Sequence, residues 1–194
     1  ERVGAAGFPP ESIDVVLCTD LHVDHIGWNT RLQDGQWVPT FPRARYLFAR
    51  KEWEHWSTRD GDEYGPIIAD SVRPVVEAGR ADLVEGDHRI SEELALEPTP
   101  GHTPGHVSLR ISSQRQEAVI TGDLMHHPVQ CGEPDWNSNF CDDQAMARTT
   151  RRAFCARYAD GEVTILGTHF GAPTAGRIVS DGRAWRYLTE GARS

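Results

Sequence analysis

The chain has 194 residues, of which 38% are hydrophobic and 25% charged, and its 29 acidic against 20 basic side chains give a net charge of -9. That length suits one domain able to bury a core. No apolar run approaches the roughly 18 residues that cross a bilayer, and the acidity argues against a phosphate-backbone partner, so neither membrane nor nucleic acid is expected as a partner.

The predicted elements alternate between strand-like and helical runs, without repeats or linkers, which makes 1–194 a single α/β domain. Ile13–Thr19 follows a Pro-Pro-Glu-Ser turn and reads as a buried strand. Arg45–Phe48 is the next strand, Lys51–Trp56 starts a helix, and a second helix lies within 64–78, where Pro74 kinks or ends it. Leu94–Pro98, Val107–Ile111 and Ala118–Thr121 are successive strands. Asp142–Tyr158 is the strongest helix, with Asp142 and Asp143 at its start and Gly161 after its end. Val163–Leu166 is a strand leading into Gly167-Thr168-His169.

Cys18, Cys131, Cys141 and Cys155 are widely spaced and form no CxxC pair. They read as free thiols, with a Cys131–Cys141 bridge as the rival reading, which favours a reducing, cytoplasmic compartment. The chain opens on Glu1, so a signal segment ahead of it is not visible.

The chemistry-bearing residues fall where strands end. His22, Asp24 and His25 follow the first strand and precede Gly27; the turn GHTPGH carries His102 and His106; Asp123 closes one strand and His169 another. Imidazole and carboxylate are the donors of catalytic zinc sites, which keep one position open for water. Strand ends fix such groups rigidly while the loops leave room for substrate.

DLHVDHIG, TPGHTPGHVS, TGDL and GTHF resemble the ordered motifs of the metallo-β-lactamase superfamily, most of all its lactonase, organophosphate-hydrolase and glyoxalase II-like branches. The resemblance implies an αββα sandwich and a dinuclear centre. Position 20, His22 and His106 would form site one, and Asp24, His25 and His169 site two, with Asp123 bridging them. One or two zinc ions are implied, with manganese or iron as alternatives. A metal-bound hydroxide would attack an ester, lactone or related small substrate, and Asp24 would orient it or take its proton. His102 reads as a hydrogen-bonding support to the ligands. Trp28 and His126 are the substrate-binding candidates, with Trp136 and Phe140 as further apolar walls against a core-packing alternative.

Two departures from the family pattern stand out. The family motif HxHxDH begins here with Asp20, which adds a third carboxylate and predicts a weakened site one. Only about a dozen residues precede the first strand, so the expected sandwich is N-terminally truncated, with a homodimer as one way to cover the gap. The leading expectation is a metal-dependent hydrolase; the alternative is a catalytically impaired member that binds metal or ligand.

Overall fold

The apolar run at 13–19 forms a shorter strand than expected, β1 over Val15–Leu17. It is not buried: Val15 is 44% exposed, because β1 lies at an edge of its sheet. The structure, a computed structural model, describes residues 2–59 and 66–189. The chain divides into two compact units, Glu1–Glu85 and Gly86–Ser194.

The first unit opens with helix α1 (Arg2–Ala5) and β1, then helix α2 (Val23–Ile26). A hairpin follows, β2 (Thr30–Gln33) and β3 (Gln36–Pro39), turned by Asp34-Gly35 with φ of 52° and 79°. Both turn residues having positive φ is the geometry that suits the twist of a two-residue hairpin. β4 (Arg45–Ala49) and β5 (Ala81–Val84) complete a parallel sheet of order β1-β4-β5. Parallel neighbours need crossovers, and the second carries α3 (Arg50–Trp56), α4 (Ile67–Ser71) and α5 (Arg73–Glu77). Of the helix expected within 64–78, Tyr64 and Gly65 lie outside the described residues. The remainder breaks at Val72, since Pro74 has no N–H to continue the ladder and fits only the first turn of α5. Leu21, Ile26, Tyr46, Phe48, Val72 and Val75 are sealed in this unit's core.

The second unit is built on a six-stranded sheet. Its strands are β6 (Leu94–Pro98), β7 (Val107–Ser113), β8 (Gln116–Ile120), β9 (Thr164–Leu166), β10 (Ala175–Asp181) and β11 (Ala184–Thr189), in the order β11-β10-β9-β8-β7-β6. Every pairing is antiparallel except β8 with β9. That parallel pair is joined through α6 (Val129–Gly132) and α7 (Gln144–Tyr158). The Asp143 side chain caps α7, accepting from the Met146 amide at 2.9 Å. Past the other end, the left-handed residue is Asp160 (φ 61°) and not Gly161. Its carboxylate accepts from the Ser180 amide and hydroxyl, which ties the helix exit to β10. Val119, Met125, Phe154, Cys155, Ile165 and Ile178 form the core.

All four cysteines are buried free thiols. Cys131 faces Met125 Sδ at 3.8 Å while Cys141 faces His102 Nδ1 at 3.8 Å, so the rival bridge does not form. Among the described residues no helix is long and apolar enough to cross a membrane.

Candidate metal centre

In the second unit, sheet register assembles the site. Ile120 and Leu166 are partners across the parallel β8–β9 pair; Asp123 stands three residues beyond the first and His169 three beyond the second. The two side chains therefore leave one sheet edge side by side, with His169 Nε2 at 3.1 Å from Asp123 Oδ1. β7 runs antiparallel to β8, so the 99–106 turn between β6 and β7 comes to the same edge. It brings His102 Nε2 to 3.4 Å from Asp123 Oδ2. His126, one turn along the chain from Asp123, places its Nε2 3.2 Å from the same oxygen.

These separations fit a cation. Two donors each about 2.0–2.1 Å from a tetrahedral ion lie roughly 3.3–3.4 Å apart, whereas a charge-assisted N–H···O bond closes to about 2.7–2.9 Å. Ligand atoms of His102, Asp123 and His126 all lie within 4.8 Å of one another. His126 and His169 stack at 5.4 Å between centroids, and His102 tilts against His126 at 4.9 Å.

The two histidines of the GHTPGH turn have different surroundings. His106 Nε2 accepts from the Asp123 amide at 2.8 Å, and its Nδ1 lies 3.0 Å from the Thr99 carbonyl oxygen. The single lone pair of that Nε2 is thus given to the backbone that carries Asp123. His102 instead directs Nε2 at the Asp123 carboxylate and Nδ1 at Cys141. Burial pushes the Cys141 thiol above its ordinary pKa, so the sulfur beside His102 is a protonated, neutral one at pH 7.

The turn's backbone is equally constrained. Gly101 (φ 132°) lies so close to α7 that a Cβ there would stand 2.3 Å from the Ala147 amide nitrogen. The Gly101 and His102 carbonyls accept from the Asp143 and Asp142 amides, docking the turn on the start of α7.

The first unit presents its own group after β1. Asp20 is fully buried, with Oδ2 2.9 Å from His22 Nδ1 and Oδ1 3.6 Å from His25 Nδ1. His25 Nε2 faces Asp24 Oδ2 at 3.4 Å, and the Asp24 side chain is 51% exposed. Leu21 and Ile26 anchor the loop in the core. Glu52, buried on α3, accepts from the Leu21 amide at 3.2 Å and from Trp56 Nε1 at 3.0 Å, and Trp56 meets His22 edge-on at 5.1 Å. The sequence reading missed Glu52, and nothing in its local spacing marks it out. Trp28 (67% exposed), Trp136 (58%) and Phe140 (61%) are not core residues. His127 is exposed and accepts from the Val129 amide through Nδ1, a turn role.

A mixed α/β chain whose strand ends gather imidazoles around one carboxylate is a metal-site scaffold. The chain belongs to the metallo-beta-lactamase superfamily, whose model matches residues 2–169. It is 29% identical over 114 residues to an N-acyl homoserine lactonase of Bacillus sp, a match covering 59% of this chain and 39% of the relative. It is 27% identical over 124 residues to the N-acyl homoserine lactonase AttM of Rhizobium radiobacter, covering 62% and 44%. The matches thus span about two fifths of these relatives' length. Among solved structures, the hydrolase AbOPH of the beta lactamase superfamily superimposes with a TM-score of 0.84 at 25% identity, covering all of this chain and 69% of that one. AidC, a dizinc quorum-quenching lactonase in complex with a product, gives 0.83 at 20% identity, covering 99% and 69%. The fold is accordingly that of the metallo-β-lactamases.

Proposed function

We propose that the chain is a metal-dependent hydrolase of lactones and related small esters. The observation that carries this reading is the Asp123 carboxylate with three imidazole Nε2 atoms at 3.1–3.4 Å. The names of its relatives, N-acyl homoserine lactonases, support the lactone class. We assign as the residues that would hold the metal Asp20, His22, Asp24 and His25 in the first unit and His102, Asp123 and His169 in the second. His102 takes the place that the sequence reading gave to His106, because His106 Nε2 already serves the Asp123 amide.

Zinc suits imidazole and carboxylate donors, with manganese or iron as harder alternatives. When bound, the ions lower the pKa of water towards 7 and polarise the substrate carbonyl. The protein's share is orientation and proton handling. His106 holds the Asp123 backbone and the half-exposed Asp24 carboxylate accepts a proton, while the His126 Nε2 faces the Asp123 carboxylate as a further imidazole of the cluster. Trp28 offers an exposed apolar wall.

Asp20 adds negative charge where the family has a neutral imidazole, which lowers Lewis acidity at that ion. The test pairs metal analysis with hydrolysis of a lactone, aryl-ester, phosphotriester and thioester panel, for the parent and for Asp20→His. We expect the parent to hold fewer than two tightly bound ions and to prefer the lactone, and Asp20→His to raise both occupancy and rate. Two tightly held zinc ions in the parent would refute the weakened site. No turnover by either form would sink the hydrolase reading in favour of a metal- or ligand-binding member.

A further inference from the structure

We propose that Arg151 is a positioning residue for the Asp123 carboxylate, its guanidinium locking the turn that carries Asp123 to the loop that carries Trp136. This rests on the reading of Asp123 as an ion-binding carboxylate. Arg151 lies on α7 and is 0% exposed. Its Nε donates to the Leu124 carbonyl at 3.1 Å, one residue from Asp123. Its Nη1 donates to the carbonyls of Pro134 (2.7 Å) and Trp136 (2.9 Å), and both Nη atoms reach Asn137 Oδ1 at 3.2 Å.

Every one of these acceptors is neutral. Burying a cation without a carboxylate partner is a poor source of stability, and well-packed apolar side chains often do better. What the planar fork supplies is direction: one rigid group meets two chain segments at fixed angles, which an ammonium cannot do.

A second buried side chain runs in parallel. Gln130 Oε1 accepts from the His126 amide (2.7 Å) and the His127 amide (3.2 Å), while its Nε2 donates to the same Trp136 carbonyl at 2.7 Å. Arg151 and Gln130 thus meet at the Trp136 oxygen and brace the segment from Leu124 to His127. The braced turn is one that needs support: Gly122 has φ 54° and Asp123 sits at φ -89°, ψ 19°, outside the helical basin.

The experiment measures cobalt affinity by competition with a chelating dye, together with the visible spectrum of the cobalt form, for the full chain, Arg151→Lys and Arg151→Ala. Melting of the metal-free proteins is followed alongside. We expect both variants to bind cobalt about 10–100-fold more weakly, the range for loss of a group that orients a ligand, with an altered cobalt band. Millimolar guanidinium should restore affinity to Arg151→Ala, whereas methylammonium should not. A folded Arg151→Lys within twofold of the parent in affinity, with the same spectrum, overturns the proposal. So does a loss of affinity that guanidinium leaves unchanged in a folded Arg151→Ala. A parent chain that takes up no divalent ion fails earlier, and sinks the metal-centre reading itself together with this one.

Discussion

At the scale of single residues, Gly101 is a point of the centre where backbone meets backbone. Its φ of 132° is open to glycine, and a Cβ would stand 2.3 Å and 2.5 Å from the backbone nitrogen and Cα of Ala147. Neither atom belongs to a flexible side chain, so the turn carrying His102 must move off α7. Gly101→Ala should cost more than about 3 kcal/mol in urea unfolding; a denaturation midpoint equal to the parent's would show that the turn has slack. The motif residues themselves were legible in the sequence because chemistry and spacing coincide there. The sequence reading made His106 the ligand and His102 its support; the two share one turn, and only the fold shows that the His102 Nε2 faces a carboxylate and the His106 Nε2 an amide. Glu52 and Gln130 were invisible for another reason. A lone buried polar residue has no spacing signal, and its meaning lies in partners distant in sequence.

At the scale of elements, apolar runs bounded by turn residues were read well: β6 occupies the expected 94–98, and α3, β4, β7, β8, α7 and β9 fall within a residue or two of expectation. Hairpins were read less well. The β2–β3 turn carries the recognisable Asp34-Gly35 pair, yet most of its strand residues are exposed and lack a clean apolar alternation. The β7–β8 turn disguises itself further, using Gln114 and Arg115 at φ 50° and 68°, where glycine or asparagine is usual. That choice carries strain of about 1 kcal/mol per residue. Arg115→Gly should therefore stabilise the chain by roughly 0.5–1 kcal/mol, read as a rise in melting temperature. A fall would mean that the Arg115 side chain contributes more than its backbone costs.

At the scale of the whole molecule, buried acids govern the response to alkali. Burial pushes the Cys18 thiol from 9.0 up to about 12 and the Tyr187 phenol from 10.0 up to about 12. Both are raised, so the folded chain holds protons that the unfolded chain releases. Their contribution to stability is complete below about pH 9 and is lost as pH climbs towards 12. The urea midpoint should stay level up to pH 9 and fall beyond it. In Cys18→Ser, which cannot ionise in this range, the fall above pH 9 should be shallower, with the raised Cys141 thiol still contributing. Identical curves for the two proteins would exclude Cys18 as a contributor.

The parallel register of β8 and β9 has one more consequence, which concerns the unfolded chain. Asp123 and His169 meet at 3.1 Å yet are 46 residues apart in sequence. A cation gripped by both is in effect a removable cross-link around a loop containing α6 and α7. Closing so long a loop takes much of the freedom from the disordered chain, as a disulfide would. The same two side chains that serve the centre thereby make ion uptake a clasp on the crossover that built it.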